Sequence, residues 1–433
     1  MLRSFALSIC GLLIGSAVLA EDWSQFRGPN TSGTIEGPAV PSKWSSTENL
    51  RWRTELPGKG SSSPIIVGDR IFLTAYTGYG IDPTSPGDAS ALQRHLLAFD
   101  RATGKELWRQ SVGATPKEDP YTGFITQHGY ASSTPVSDGE LVYVVHGKAG
   151  LFAYDFDGQL AWNIDLGQKS DPFKWGDGSS PILIGDVLVV DANVMGNQLL
   201  GLDKKTGKQL WAISDSKFTN GWSTPTPVTI DGQTLALFNL PSVVLAVDPK
   251  TGKEAWRVDS PLNDSACGCI AIANDQAFWM GSRAGRGIGV RLKATDGEPA
   301  GSVLWQSNLR SGICSPLALE GQLFWCTGGI FYAANIETGE YTYKERLPRF
   351  AGATGGFPNA DYSSPIAVAG KIIQFTRNGE SYVIEPGESF SLVSHNPAFK
   401  DDTSAFSSTP AASNGQLFVR SESYLYCIGT PAL

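Results

Sequence analysis

The chain has 433 residues, of which 42 are Asp or Glu and 34 are Lys or Arg, so its formal net charge is −8. This acidic balance argues against a nucleic-acid binder, whose contact surface would be basic. Four His and three Met leave little material for a rich metal or haem site. The length exceeds what one hydrophobic core usually supports, roughly 250–300 residues, so the chain is either multidomain or built of repeats.

The first 20 residues have the pattern of a secretory signal peptide. Arg3 precedes an apolar core, and Val18-Leu19-Ala20 supplies a small-residue cleavage site. The apolar run is too short to span a membrane, and the residue before Cys10 is Ile9 rather than the small residue of a lipoprotein signal. We therefore predict a single exported domain over residues 21–433, periplasmic or secreted, without a membrane span or a lipid anchor.

A small residue followed by proline recurs along the rest of the chain. After one longer first interval the spacing is about 45 residues. The copies are Ser63-Pro64, Thr134-Pro135, Ser180-Pro181, Thr224-Pro225, Ser315-Pro316, Ser364-Pro365 and Thr409-Pro410, with a degenerate copy at Cys269-Ile270. After each copy come an apolar run, a tight turn rich in Gly, Asp and Asn, and an alternating strand. Four short strands in each period, without helical periodicity, predict the blade of an all-β propeller.

The last strand of most units ends in tryptophan. These residues are Trp52, Trp108, Trp162, Trp211, Trp256 and Trp305. The segment Asn49–Leu56 is such a last strand with no blade before it, whereas the final unit, Phe406–Ile428, has three strands and no fourth. The N-terminal strand is therefore expected to complete the C-terminal blade, which closes a ring of eight four-stranded antiparallel blades and removes free sheet edges.

The consensus L-x-A-x-D-x-x-T-G-K-x-x-W, as in Leu96–Trp108, resembles the pyrroloquinoline-quinone (PQQ) repeat. The resemblance covers nearly all of residues 44–428. Families that share this repeat include the quinoprotein dehydrogenases and the BamB-type component of outer-membrane protein assembly. The opening Asp22–Asn30 also resembles exported PQQ-like propellers of mostly unassigned role. The resemblance implies a structural role for the repeat residues, in which Trp fills the gap between adjacent blades and Gly makes the tight turn.

Loop lengths indicate which face of the propeller carries function. The long segments Tyr76–Arg94, Gly113–Ser132 and Ser282–Gly287 all fall on the face where the chain leads into the innermost strands. Aromatic, charged and imidazole side chains collect there. These candidate binding residues are His128, Tyr130, Trp175, Asp177, Trp222, Arg283, Arg286, Asp361, Tyr362 and Phe406. They either form a binding funnel for a peptide, glycan or flat ligand, or plug the channel by packing on each other.

Motifs for catalysis and metal binding are missing from the sequence. Quinoprotein dehydrogenases carry an adjacent cysteine pair and acidic and amide Ca²⁺ ligands, whereas this chain has Cys267-Gly-Cys269 and nothing that matches those ligands. There is no G-x-S-x-G and no H-E-x-x-H, and His95, His128, His146 and His395 have no metal-site spacing. We expect no catalytic residues, no metal and no cofactor, with PQQ and calcium as the alternative.

Five cysteines follow the signal peptide, and four of them should converge near the axis of blades 5 and 6. Cys314 and Cys326 flank the turn of one hairpin almost symmetrically, within reach of a disulfide. Because export favours oxidised cysteines, we predict a Cys314–Cys326 bridge, or alternatively one from Cys267 or Cys269 to Cys314. A thiolate zinc site and simple packing are the other readings, and Cys427 is expected to be a buried thiol.

These observations predict an exported, non-catalytic binding scaffold of the BamB type. Its expected partners are proteins or polymers of the envelope or the extracellular space, with no nucleic acid and no membrane span, and we expect a monomer. The alternatives are a quinoprotein-like oxidoreductase that uses PQQ, or a polysaccharide-binding or hydrolytic propeller.

Overall fold

The structure of the chain is a computed structural model. The structure describes residues 22–260, 265–282, 286–295, 297–348 and 362–430. The predicted signal peptide lies outside these ranges. Within them, no helix has the length and apolar character that a membrane crossing requires.

The described residues form eight sheets, and each contains the four antiparallel strands of one blade. Blades 1 and 2 contain β3 (Ile65–Val67), β4 (Arg70–Thr77), β5 (Gln93–Asp100), β6 (Glu106–Gly113), β7 (Val136–Ser137), β8 (Leu141–Val145), β9 (Leu151–Asp155) and β10 (Leu160–Ile164). Blades 3 and 4 contain β11 (Ile182–Ile184), β12 (Val187–Ala192), β13 (Gln198–Asp203), β14 (Gln209–Ser214), β15 (Thr226–Ile230), β16 (Gln233–Leu240), β17 (Val243–Val247) and β18 (Glu254–Asp259).

The second half of the ring repeats the pattern. Blades 5 and 6 contain β19 (Ala271–Ala273), β20 (Gln276–Trp279), β21 (Gly287–Arg291), β22 (Val303–Ser307), β23 (Leu317–Leu319), β24 (Gln322–Thr327), β25 (Ile330–Asn335) and β26 (Tyr341–Arg346). Blades 7 and 8 contain β27 (Ile366–Val368), β28 (Lys371–Phe375), β29 (Ser381–Glu385), β30 (Ser391–Asn396), β31 (Ala411–Ser413), β32 (Gln416–Arg420) and β33 (Tyr424–Ile428). Helix in the described ranges is limited to short turns, α1 (Ile125–His128), α2 (Asn193–Gly196) and three 3₁₀ turns at Pro29–Thr31, Ala89–Ala91 and Gly147–Ala149.

The ring closes as the sequence predicts. Strand β2 (Leu50–Glu55) pairs antiparallel with β33, with Trp52 opposite Cys427, and becomes the outer strand of blade 8. A further short strand, β1 (Thr34–Ile35), adds to blade 7 in parallel with β27. The fold is therefore an eight-bladed propeller whose N-terminal and C-terminal segments share one blade.

The repeat tryptophans join each blade to the next. The indole N–H groups of Trp52, Trp108, Trp162, Trp211 and Trp305 donate hydrogen bonds of 2.7–3.1 Å to carbonyls in the next blade. Trp52 lies on Gly104 of blade 1, where a Cβ would come within 2.5 Å of the ring and where φ is +71°. Only glycine suits such a position. Trp256 packs in the same way on Gly301.

The segment before the first blade crosses one end of the axial channel, a path that the repeat pattern does not predict. Trp23 bridges to Ile66 on the inner strand of blade 1, and Arg27 donates to the carbonyls of Pro316 and Pro365 in blades 6 and 7 at 3.0 and 3.2 Å. Phe26 lines the channel above this crossing. The N-terminal segment therefore forms a floor at the end of the channel away from the long loops.

Candidate functional site

The channel holds a cavity of about 290 Å³ that opens on the long-loop face. Its wall is built from two rings of residues, one from each blade, because successive residues of an extended chain point to opposite sides. The lower ring is the residue just before the repeat proline: Ser63, Thr134, Ser180, Thr224, Cys269, Ser315, Ser364 and Thr409. The upper ring is the residue three before the proline: Ser61, Ser132, Gly178, Trp222, Cys267, Ile313, Tyr362 and Ser407.

A circle of hydrogen bonds runs through the lower ring. The backbone N–H of each ring residue donates to the side-chain hydroxyl of the next blade, as from Ser63 to Thr134 and from Thr409 back to Ser63. Seven such bonds of 2.9–3.1 Å are formed. Among the described hydrogen bonds, none joins the backbone N–H of Thr224 to Cys269, where a thiol replaces the hydroxyl. The small residue before proline thus links neighbouring blades.

Aromatic side chains form one side of the cavity mouth. The rings of Trp175 and Trp222 lie 5.1 Å apart at 32°, and Phe124 meets Trp175 edge-on at 4.4 Å. The indole N–H of Trp222 donates to the carbonyl of Gly176 at 2.8 Å, which fixes the orientation of that ring. Phe173 stacks on Trp175 with ring centres 4.8 Å apart and is 55% exposed. The wall is therefore an oriented set of aromatic faces next to the hydroxyl ring.

His128 lies in the cavity wall and is held as a neutral imidazole. Its Nε2 is 2.9 Å from the carbonyl oxygen of Trp175, and its Nδ1 is 2.7 Å from the hydroxyl of Ser132. Since a carbonyl can only accept, Nε2 carries the proton and Nδ1 accepts from Ser132. Burial lowers the pKa of His128 to about 4.

Tyr362 faces the cavity from blade 7. Burial raises the pKa of Tyr362 well above its usual value, and the guanidinium of Arg377 lies 5.0 Å from the centre of its ring. Four of the predicted binding residues, His128, Trp175, Trp222 and Tyr362, are thus brought together around one cavity.

Two of the predicted binding residues belong to the hydrophobic core instead. Phe406 is fully buried and stacks among Phe375, Phe399 and Tyr426. It is four residues before its repeat proline, an even offset that turns the side chain away from the axis. Tyr130 packs among other tyrosines of the long loops and donates to the carbonyl of Asp119 at 2.8 Å. The structure thus places Phe406 and Tyr130 in packed cores beside the channel, where they neither line the main cavity nor plug it.

The predicted charged residues do not line the main cavity. Asp177 faces a separate small cavity of about 30 Å³ beside Arg94 and Lys148. Burial, together with the nearby charge of Asp191, raises the pKa of Asp177 to about 7. Arg286 is exposed beside β21 and is not among the described lining residues. Arg283 and Asp361 lie outside the described residues.

The predicted disulfide is not formed, and all five described cysteines are thiols. The register that sets Leu317 opposite Phe324 would place Cys314 opposite Thr327, one residue away from Cys326. A one-residue offset sends two side chains to opposite faces of a hairpin. Cys314 accordingly packs in the core between blades 5 and 6, and Cys326 in the core between blades 6 and 7.

The alternative bridges from Cys267 or Cys269 to Cys314 are not formed either. Cys267 and Cys269 line the cavity. Cys314 is not among the described lining residues, and its Sγ lies 3.2 Å from the carbonyl oxygen of Ser311 and 3.1 Å from that of Cys326, either of which its single S–H can bond. Within the described ranges no three or more His, Cys, Asp or Glu side chains are grouped so that they could hold a metal ion.

The described lining does not fit a PQQ–calcium pair. PQQ carries three carboxylates, and Ca²⁺ needs several oxygen ligands, usually carboxylates among them. Among the described residues that line the cavity there is no Asp, Glu, Lys or Arg. A buried charge without a partner is strongly disfavoured. The wall offers hydroxyls, thiols and aromatic faces, and these suit an uncharged ligand.

Sequence reasoning missed several residues of this site. The hydroxyls of the lower ring were recognised as periodic, but not as the lining of a cavity. Ser132, the partner of His128, and Phe26 and Phe124 were not singled out. For the upper ring the signal was available, because an odd offset from the repeat proline marks residues that face the axis.

Comparisons with known proteins identify the family. The model of the family described as "Outer membrane protein assembly factor BamB" matches residues 93–266 and 242–430. Outer membrane protein assembly factor BamB of Burkholderia pseudomallei is 23% identical over 184 residues, which are 42% of this chain and 38% of that protein. The glycerol dehydrogenase large subunit of Gluconobacter oxydans is 24% identical over 218 residues, 45% of this chain and 25% of that protein. The matched parts thus span well under half of either relative.

Two solved structures show the same fold. BamB from Moraxella catarrhalis superposes with a TM-score of 0.60 at 14% identity and covers 89% of this chain and 98% of its own. A quinohemoprotein alcohol dehydrogenase from Pseudomonas putida gives a TM-score of 0.53 at 12% identity over 95% of this chain and 81% of its own. Since the family match extends over most of the sequence, the chain belongs to the family of outer membrane protein assembly factor BamB, the PQQ-like β-propellers.

Proposed function

We propose that the protein is an exported, non-catalytic scaffold of the cell envelope that binds a protein partner on its long-loop face. The observation that carries this proposal is a platform made of the long loops of blades 1 and 2, residues 78–92 and 114–131. These loops lie outside the strands of the blades, yet they have a hydrophobic core of their own. Loops positioned on a rigid scaffold are where binding residues concentrate.

Tyrosines and aliphatic residues form the core of this platform. Tyr79 and Tyr121 meet edge-on with ring centres 6.3 Å apart, and the backbone N–H of Tyr121 donates to the Tyr79 hydroxyl at 2.9 Å. Leu92 and Ile125 are fully buried beside them. The two loops therefore hold each other in one conformation. They would lose little conformational entropy when a partner binds, which favours binding.

Two buried ion pairs attach the platform to the blades. Glu118 receives two hydrogen bonds from Arg94 at 2.9 and 2.6 Å, and both side chains are only 3% exposed. Asp119 accepts from Lys148 of blade 2 at 2.9 Å. Burial opposes ionisation of Glu118, but its bonds from Arg94 and Thr115 outweigh that and lower its pKa. The hydrogen bonds of Glu118 and Asp119 thus fasten the loops to the blades.

Apolar side chains are exposed on the same face. Ile81 at the tip of the blade-1 loop is 37% exposed, and Phe173 in the loop leading into blade 3 is 55% exposed. Rigid, exposed aromatic and aliphatic residues are typical anchors of protein interfaces. The family relationship to an assembly factor of the outer membrane supports an envelope protein as the partner.

Site-specific photocrosslinking in the native envelope tests the proposal. A photoreactive residue at Ile81 or at Phe173 should yield the same crosslinked partner. Leu160, which is 53% exposed on the outer strand of blade 2, is the matched control because it has similar exposure on a different surface. If Leu160 gave the same product, or if neither loop position gave one, the proposed binding face would be wrong.

A quinoprotein-like oxidoreductase is the second candidate, because relatives with that activity share the repeat and the fold. The uncharged lining of the cavity argues against it. Mixing the purified protein with PQQ and Ca²⁺ and recording the absorption spectrum tests it directly. A protein-bound quinone spectrum with dye-linked alcohol oxidation would overturn the non-catalytic assignment.

A further inference from the structure

We propose that the axial cavity is a binding site for an uncharged saccharide, one or two sugar rings in size. The ligand would lie with its hydroxyl groups on the lower ring of Ser and Thr side chains and with a C–H face against Trp222 and Trp175. This site is separate from the loop platform proposed to bind a protein partner.

The lower ring supplies hydrogen-bond donors that the protein itself does not use. Each of its seven hydroxyl oxygens accepts a backbone N–H from the preceding blade, as Thr134 accepts from Ser63 and Ser364 from Ser315. In the described part of the chain none of these hydroxyls donates to another protein group. Since a hydroxyl carries one proton and two lone pairs, each can still donate into the cavity. Fixed donors around a small cavity match a ligand with many oxygen acceptors.

The aromatic wall supplies the second element of saccharide recognition. The face of an indole is electron-rich, and the C–H groups on one face of a pyranose ring are weakly electropositive, so the two attract each other as aromatic edges and faces do. Trp222 is fixed by its hydrogen bond to Gly176 and by the contact with Trp175, which Phe124 supports from its edge. Apolar walls with a few convergent polar groups are the usual composition of small-molecule sites.

The charge of the cavity limits the class of ligand. The described lining has no ionised side chain, and His128 is neutral because burial depresses its pKa. A charged ligand would lose its hydration without meeting a counter-charge in the described lining, which is strongly unfavourable. The guanidinium of Arg377, which contacts Tyr362 and Ser407 of the wall, already donates to Ser407 and to the carbonyl of Gln127. An uncharged sugar has no such cost and exchanges water hydrogen bonds for those of the ring.

The closed floor limits the size of the ligand. Phe26 lines the cavity and the carbonyl contacts of Arg27 hold the segment beneath it across the channel. A polymer therefore cannot thread through the channel, and only a single sugar or a chain end can enter. A volume of about 290 Å³ lies at the lower end of the range of small-molecule pockets, roughly 300–1,000 Å³.

The experiment uses the mature full-length chain and ligand-observed saturation-transfer NMR, with titration calorimetry for affinities. The probes are methyl glucoside, N-acetylglucosamine, cellobiose and maltose as uncharged ligands, and glucuronic acid and PQQ as charged ones. We expect at least one uncharged probe to bind and the charged probes to bind at least tenfold more weakly.

Two variants and three controls locate the site. Trp222→Ala should weaken binding about tenfold or more, as loss of an aromatic anchor does, and Trp222→Phe should restore part of the affinity. Thr134→Val should weaken binding by removing a donor, whereas Thr134→Ser should not. Leu160→Ala, on the outer surface, should leave binding unchanged. The thermal midpoint of each variant shows whether it is folded.

Three results would overturn the proposal: no uncharged probe bound at tens of millimolar, equal binding by folded Trp222→Ala and wild type, or preferential binding of the acids. Because crosslinking from Ile81 does not involve the cavity, loss of saccharide binding with intact crosslinking would refute this proposal alone. Intact saccharide binding without a crosslinked partner would refute only the proposed protein-binding scaffold.

Discussion

Replacement of Arg27 should destabilise the ring more than replacement of any surface charge. Its guanidinium is 2% exposed and donates to four carbonyl oxygens, those of Thr31, Ser32, Pro316 and Pro365, at 3.0–3.3 Å. Burial lowers the pKa of Arg27, but the side chain remains charged because an arginine starts so far above neutrality. These contacts join the N-terminal segment to blades that follow almost 300 residues later.

The magnitude follows from the two long-range contacts. A hydrogen bond to a charged group contributes about 1.5–3 kcal/mol to stability. Removal of the Arg27 side chain takes the guanidinium donor away from the buried carbonyls of Pro316 and Pro365. We expect Arg27→Ala to lower the free energy of unfolding by about 3–5 kcal/mol, since the two contributions are not fully additive. Arg27→Lys keeps the charge but not the planar fork, and it should recover part of this loss.

Urea unfolding followed by tryptophan fluorescence and by far-UV circular dichroism measures the effect. Arg257→Ala is the matched control, because that arginine is 61% exposed and pairs only with Glu254 on its own strand. Its removal should change stability by about 0.5 kcal/mol or less. A loss of under 1 kcal/mol for Arg27→Ala would show that the N-terminal segment does not brace the ring.

Four further predictions concern other parts of the molecule. Deletion of residues 22–56 should expose the edge of the last blade and cause aggregation, and size-exclusion chromatography would show a monomer if closure were dispensable. Cys269→Ser should stabilise the protein by about 0.5–1.5 kcal/mol, because a hydroxyl there would accept from Thr224 and complete the ring; an unchanged urea midpoint would contradict this. His128 has a folded pKa of about 4, below the unfolded value near 6.5, so the unfolded state binds the proton first and stability falls as the pH drops from 6.5 to 4. His128→Gln should therefore lose about 1–2 kcal/mol less than wild type between pH 7 and pH 5, and parallel stability curves would refute the assignment. Thiol titration of the denatured, unreduced mature chain should find five thiols, and in the folded protein Cys267, the most exposed, should react first.

The propeller architecture could be predicted because the same repeat motif occurs in every blade. Each copy of the repeat carries the same turn and strand pattern, so errors in one copy are corrected by the others. Closure was also readable, since an outer strand with Trp52 precedes the first blade and the last unit lacks one. The pairing of Trp52 with Cys427 confirms that argument.

Side-chain direction in the loops could be predicted only near the repeat proline. Trp222 and Tyr362 are three residues before it and face the cavity, whereas Phe406 is four before it and faces the core. Farther from the proline the loop backbone is irregular, so an odd or even offset no longer indicates which way a side chain points. Tyr130 was therefore placed in the funnel, although it packs in the loop core.

The cysteine prediction failed by a single residue of register. Near-symmetry about a turn placed Cys314 and Cys326 opposite each other, but the actual pairing separates them onto different faces of blade 6. The path of Arg27 was beyond sequence reasoning for another reason. Its partners in blades 6 and 7 become neighbours only when the ring closes.

The hydrogen-bonded ring also constrains the chemistry that the cavity can support. Seven of the eight lower-ring side chains accept an N–H from the preceding blade, and all eight must be small enough to meet around the axis. Serine and threonine are therefore favoured there. A charged or bulky residue at Ser180 or Ser315 would break a link between blades. For the proposed saccharide site, we therefore expect the lower ring to supply the same neutral donors to any ligand. Differences in specificity should arise in the upper ring, as at Trp222 and Tyr362, and in the loops above it.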